Sequence, residues 1–174
     1  LPQLAYSAIG QENVRVTALQ NALVAAGIAN KGVVMTPHLL SSIIGPDGSL
    51  ASIYRPHPWR TALKPAQAAQ LVPLMENVVK FGTASYVGFL AQDDVAAKTG
   101  TAQTGTSVEN TDDWMIAFAP ATHPVVAVAV VVPFQSVSAT GATVAGPVMK
   151  CVIEAALAQH AGLPVTGTAT TCPT

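Results

Sequence analysis

Charge is what this sequence has least of. Eight Lys and Arg stand against nine Asp and Glu, a tenth of 174 residues, for a net charge of −1. Soluble domains average about a quarter. Scattered cations make no basic stripe, so a nucleic-acid partner is not expected: phosphate neutralisation needs clustered Lys and Arg. Long apolar runs are lacking too. The longest, Val125–Val132, has eight residues and is stopped by Pro133, whereas a helix that crosses a bilayer needs about 20. No signal peptide opens the chain, which starts at Leu1 rather than Met. That start reads as a cut or processed end and is silent about compartment.

Metal-binding patterns are missing as well. His38, His57, His123 and His160 are far apart, and neither C-x-x-C nor H-E-x-x-H occurs. No metal and no cofactor is expected. Gly100 to Gly105 followed by Thr106-Ser107 imitates a phosphate loop, but Thr106 stands where that loop needs Lys, and Glu109 and Asp112-Asp113 follow. Cysteine is limited to Cys151 and Cys172. Their spacing allows one disulfide in an oxidising compartment, or equally a buried helix thiol plus a free tail thiol.

Apolar residues are abundant, at half of the chain. That is enough for a sizeable core and suits one domain or a large piece of one. Thr17 with Gln20 three positions on predicts a capped helix over 18–30, closed by Gly32. Gly45-Pro46-Asp47-Gly48 predicts a turn joining strands at 38–44 and 50–54. Arg55-Pro56-His57-Pro58-Trp59 reads as irregular, because its prolines remove donors and bias their neighbours to extended geometry. Pro65 opens a second helix to about Lys80, with a kink or break expected at Pro73. Three strands follow, at 95–101, 114–119 and 125–132, the last two as antiparallel neighbours. The continuous Val/Ala run predicts that the last strand is central, with both faces covered. Asp112-Asp113 reads as a solvated loop, and Trp114 and Phe118 as packing residues. A final helix spans 142–159, with Pro147 early in it, before a loosely held Thr/Pro-rich tail over 161–174. The fold class is α+β, an antiparallel sheet flanked by helices.

One segment carries chemistry. Ala97-Lys98-Thr99-Gly100-Thr101-Ala102-Gln103 places an ammonium, two hydroxyls and a glycine on one strand. On a strand Lys98 and Gly100 share one face, Thr99 and Thr101 the other. Gly100 lets a ligand approach the backbone closely. Such a set suits a ligand with a carboxylate and a polarised carbonyl.

Lys-Thr-Gly-Thr-Ala-Gln, then Trp114-Met-Ile-Ala-Phe-Ala-Pro120 and the Val/Ala strand, resembles the C-terminal part of the transpeptidase domain of class B penicillin-binding proteins. Ile9-Gly10-Gln11, Val16-Thr17-Ala18-Leu19-Gln20, Ala29-Asn30-Lys31-Gly32, Pro37-His38-Leu39, Gly82-Thr83-Ala84 and Gly146-Pro147-Val148 fall in the same order as in that family. The resemblance implies that residues 1–160 are part of a serine D,D-transpeptidase that cross-links peptidoglycan stem peptides ending in D-Ala-D-Ala and is acylated by β-lactams. It implies that Lys98 holds the proton network and orients the ligand carboxylate. Thr99 and Thr101 would offer hydroxyls to that carboxylate, Gly100 would admit the acyl donor, and the Thr101 backbone N–H would form half of the oxyanion hole.

The family also uses S-x-x-K and S-x-N, and neither occurs here: no serine has Lys three residues later or Asn two residues later. The nucleophile is therefore expected in a preceding segment of the same protein, packed against this one. That protein is expected on the outer face of the cytoplasmic membrane, held by an N-terminal helix outside this chain. Such an exported setting favours the Cys151–Cys172 bridge. Two alternatives stand beside this reading: a D,D-carboxypeptidase or β-lactamase of the same superfamily, and a module that binds β-lactams or muropeptides without turnover.

Overall fold

The computed structural model describes residues 2–105 and 110–164. Helix α1 (Pro2–Ala8) leads through a loop to α2 (Ala18–Ala29). The Thr17 capping box forms as expected: Gln20 N–H donates to Thr17 Oγ1 at 3.2 Å, and Thr17 N–H donates to Gln20 Oε1 at 2.8 Å. Strand β1 (Val33–Met35) then pairs antiparallel with β4 (Pro58–Thr61). Between them β2 (Ser42–Ile44) and β3 (Leu50–Ile53) form the expected hairpin. Asp47 Oδ1 accepts from Ser49 N–H at 3.0 Å and from the Ser49 hydroxyl at 2.7 Å, which fixes the turn. The first strand is shorter than its sequence suggested, because His38 stacks on Tyr54 at 3.6 Å instead of extending the ladder.

The structure differs from the sequence reading at two prolines: Arg55–Trp59 is not wholly irregular, and no break occurs at Pro73. Pro58 and Trp59 are in a strand, since Pro58 is its first residue and faces the irregularity between Val34 and Met35. There a missing N–H interrupts no ladder bond. Helix α3 (Pro65–Lys80) runs unbroken through Pro73. Both Pro73 and Ala69, whose carbonyl loses its helical partner, are exposed, so water can replace the lost bond.

The remaining strands build the main sheet: β5 (Ala96–Gln103), β6 (Asn110–Ala119) and β7 (Val126–Ser136), antiparallel in the order β5-β6-β7. Helix α4 (Gly141–His160) follows, continuous through Pro147. It lies over one face of β6 and β7, and α2 lies over the other. The apolar length of α4 is that of a core helix: Ala145, Met149 and Ile153 are fully buried against Ala97, Met115 and Ala117. On the opposite face Phe118 and Ala96 pack with Met75 of α3, flanked by Ile28 of α2.

The expected place of the Val/Ala strand is met only in part. Among the described residues β6, not β7, is central. Helices do cover both faces of β7, and that coverage explains its continuous apolar run. Coverage of the faces says nothing about pairing at the edges.

Candidate active site

Strand β5 begins where Asp94 takes a left-handed turn at φ 47°. The Asp94 carboxylate accepts from Thr122 N–H at 2.9 Å and from its hydroxyl at 2.8 Å, tying the strand's start to the β6–β7 connection. Burial pushes the Asp94 carboxyl up, but these two bonds, with Lys80 and the Ala121 amide, outweigh it and hold the group below its ordinary value.

From there the register fixes which side chains share a face. Lys98 lies opposite Ile116 and Gly100 opposite Trp114, while Thr99 faces Met115 and Thr101 faces Asp113. The alternation expected from the sequence therefore holds, and the threonines look toward α4, whose residues bury Met115. Lys98 is exposed, and its Nζ donates to Thr99 O at 2.5 Å. The Thr99 hydroxyl is 2.8 Å from that of Thr83, so the Gly82-Thr83-Ala84 segment meets the Lys-Thr-Gly strand directly. The Thr101 hydroxyl accepts from Gly141 N–H at 3.3 Å, at the first turn of α4.

A cleft of 610 Å³ opens beside the strand, lined by Gly100, Thr101, Trp114, the loop around Gln11, and Phe134. Trp114, expected only to pack, thus also forms a wall of this cleft, whereas Phe118 is fully buried. An added Cβ on Gly100 would meet Trp114 Cβ at 3.5 Å, an ordinary contact. Packing therefore does not demand a glycine there.

Gln11 is the residue that sequence reasoning left without a role. Its Nε2 donates to Thr101 O at 3.2 Å, and its Oε1 accepts from Gln103 N–H at 3.3 Å. The side-chain amide lies along the outer edge of β5 as a short additional strand would. Because one residue's N–H and C=O point to the same side of a strand, these bonds show that the Thr101 N–H also faces outward, away from β6. Ile9-Gly10-Gln11 was part of the quoted motif set, but nothing in its spacing announced contact with a strand 90 positions later.

The acidic pair requires a correction. Asp112 and Asp113 are in β6, not in a loop. Asp112 fills an irregularity in the ladder to β7, where its Oδ1 accepts from the N–H of Phe134, a residue at φ 56°. Asp113 is fully buried. Cys151 is buried on α4, while Cys172, and with it the disulfide expected in the sequence, lies outside the described residues.

The arrangement is an antiparallel sheet between helices, with a Lys-Thr-Gly strand along an open cleft, and comparison with known proteins shows which family has it. The family described as penicillin binding protein transpeptidase domain matches residues 3–154. Peptidoglycan D,D-transpeptidase PbpA of Mycolicibacterium smegmatis is 45% identical over 160 residues, covering 90% of this chain and 32% of that protein. PbpA of Mycobacterium tuberculosis is 44% identical over 88% of this chain and 32% of its own length. Among solved structures, an acyl-enzyme complex of penicillin-binding protein A from M. tuberculosis superposes with a TM-score of 0.82 at 43% identity, over 88% of this chain and 35% of that one. The chain belongs to the penicillin-binding protein transpeptidase family, and it spans about a third of the length of the curated relatives it matches.

Proposed function

We propose that this chain supplies the Lys-Thr-Gly wall of a serine D,D-transpeptidase that cross-links peptidoglycan stem peptides ending in D-Ala-D-Ala and is acylated by β-lactams. The observation that carries this reading is the outward-facing edge of β5 at Thr101, beside a glycine and an open cleft. Lys98 orients the ligand carboxylate and holds the proton network around the nucleophile. The Thr99 and Thr101 hydroxyls receive the carboxylate, and Gly100 admits the acyl donor. The Thr101 N–H stabilises the tetrahedral oxyanion, a contribution of about 3 kcal/mol for one such donor.

The attacking serine and its lysine come from an S-x-x-K in a preceding segment, together with an S-x-N. The unpaired edge of β7 among the described residues is where such a segment would extend the sheet, since long apolar strand edges are otherwise aggregation-prone. Cross-linking of this polymer takes place outside the cytoplasmic membrane, so the protein works there, anchored by an N-terminal helix outside this chain.

The test is Lys98→Ala in the full-length protein, read as the rate of acylation by labelled penicillin. A fall of about a hundredfold or more is expected, in line with removal of a charge that acts on the reacting group. Unchanged acylation would remove Lys98 from the machinery and the reading with it.

A further inference from the structure

Asp113 of β6 is an acid placed inside the protein. It is fully buried, and neither carboxylate oxygen has a hydrogen-bond partner among the described residues. An ionised carboxylate without partners is strongly disfavoured in such a place. Its cross-strand neighbour is Thr101, and residues in direct register hold their Cβ atoms about 5 Å apart. The hydroxyls of Thr101 and Thr111 flank the carboxyl without closing bonds of standard geometry; that of Thr111 donates instead to Ser136 O at 3.3 Å.

The hydroxyl of Thr101 has one hydrogen to give and two lone pairs, one of which already accepts from Gly141 N–H. Its hydrogen can serve one acceptor at a time. Resting on the function proposed above, we propose that Asp113 is a positioning residue that decides where this hydrogen goes. As a neutral acid it donates to the second lone pair of Thr101 Oγ1, leaving the threonine hydrogen for a ligand carboxylate. As an anion it takes that hydrogen itself and repels the ligand.

The surroundings favour the neutral form. Burial pushes the Asp113 carboxyl above its ordinary value; the Thr101 hydroxyl opposes this, the Asp112 carboxylate adds to it, and the Thr111 hydroxyl opposes it again. No cation faces it. Lys98 is on the other face of β5, β7 holds no ionisable residue, and the first turn of α4 holds none. Lys150 and Glu154 of α4 pair with each other at 3.7 Å, about 13 Å along the helix axis from Gly141 or further. Tyr86, in the turn against α4, directs its hydroxyl to Thr140 at 3.4 Å.

The experiment compares full-length wild-type protein with Asp113→Asn and Asp113→Ala, measuring the second-order rate of acylation by labelled penicillin from acidic to alkaline pH. The asparagine amide donates at every pH, and the alanine leaves the threonine hydrogen uncontested, so neither variant has this titration. The ratio of variant to wild-type rate should climb as pH rises, approaching roughly tenfold per pH unit once the wild-type acid ionises. Either variant suffices if the other does not fold. Thermal melting gives a second readout. An acid whose native proton affinity is raised loses stability as pH rises from its unfolded range, 3.8, toward its native value. Asp113→Asn should therefore raise Tm at neutral pH and give no such gain in strong acid. Parallel pH–rate profiles in proteins that acylate would overturn the role of Asp113 alone. A wild-type protein that penicillin fails to acylate at any pH would overturn the transpeptidase reading and this one together.

Discussion

The β2–β3 hairpin and the β5–β7 sheet are both antiparallel, yet different forces make them. Every residue of β3 is exposed, and Ile43, Ile44, Leu50 and Ile53 put apolar side chains into solvent. The hairpin is held by its turn, where one aspartate oxygen receives two bonds from Ser49. In the sheet, Met115, Ala117 and Phe118 are fully buried, and helices press on both faces. Turn chemistry specifies a hairpin locally. A sheet is specified by what covers it, so its strands tolerate far less change.

Gly141 is where this contrast should break most sharply. A Cβ there would stand 2.1 Å from Trp114 O and 2.6 Å from Gly100 O. Backbone atoms of two paired strands cannot both yield, so Gly141→Ala should cost about 4 kcal/mol or abolish folding of the full-length protein, measured by thermal melting. It should also move the N-terminus of α4 away from the Thr101 hydroxyl, so acylation should fall with stability. Met149→Ala comes next. This side chain is fully buried against the sheet, and its truncation should cost about 2–5 kcal/mol in the same measurement. Ile53→Thr on the hairpin should change stability by less than about 0.5 kcal/mol, because the residue is 54% exposed. A loss of well over 1 kcal/mol there would show that another part of the whole protein covers the hairpin, and the contrast would then belong to this chain alone.

How much was legible follows the same division. Thr17 and Gln20 announced their helix because a capping box is closed within three residues. Gly45–Gly48 announced its turn for a similar reason. The three-residue strand β1 and its partner β4 escaped because so short a ladder leaves no periodic pattern, and Pro58 argued against one. Asp113 was misread because two adjacent acids ordinarily mark a solvated loop. Only the register with Thr101 and the roof of α4 bury it.

By itself the sequence determined the class of fold, the order of its main elements and the strand that carries Lys98, Thr99, Gly100 and Thr101. Those are properties of local pattern: caps, turns and alternation act over a few residues, and a motif is contiguous. The tertiary structure alone decided that β6 lies between β5 and β7, that Gln11 lies along the edge of β5, and that Thr101 stands between Gly141 and a buried acid. The contacts of Thr101 join residues 12, 40 and 90 positions apart in the chain. Their energies depend on which surfaces exclude water together, and no local pattern records that.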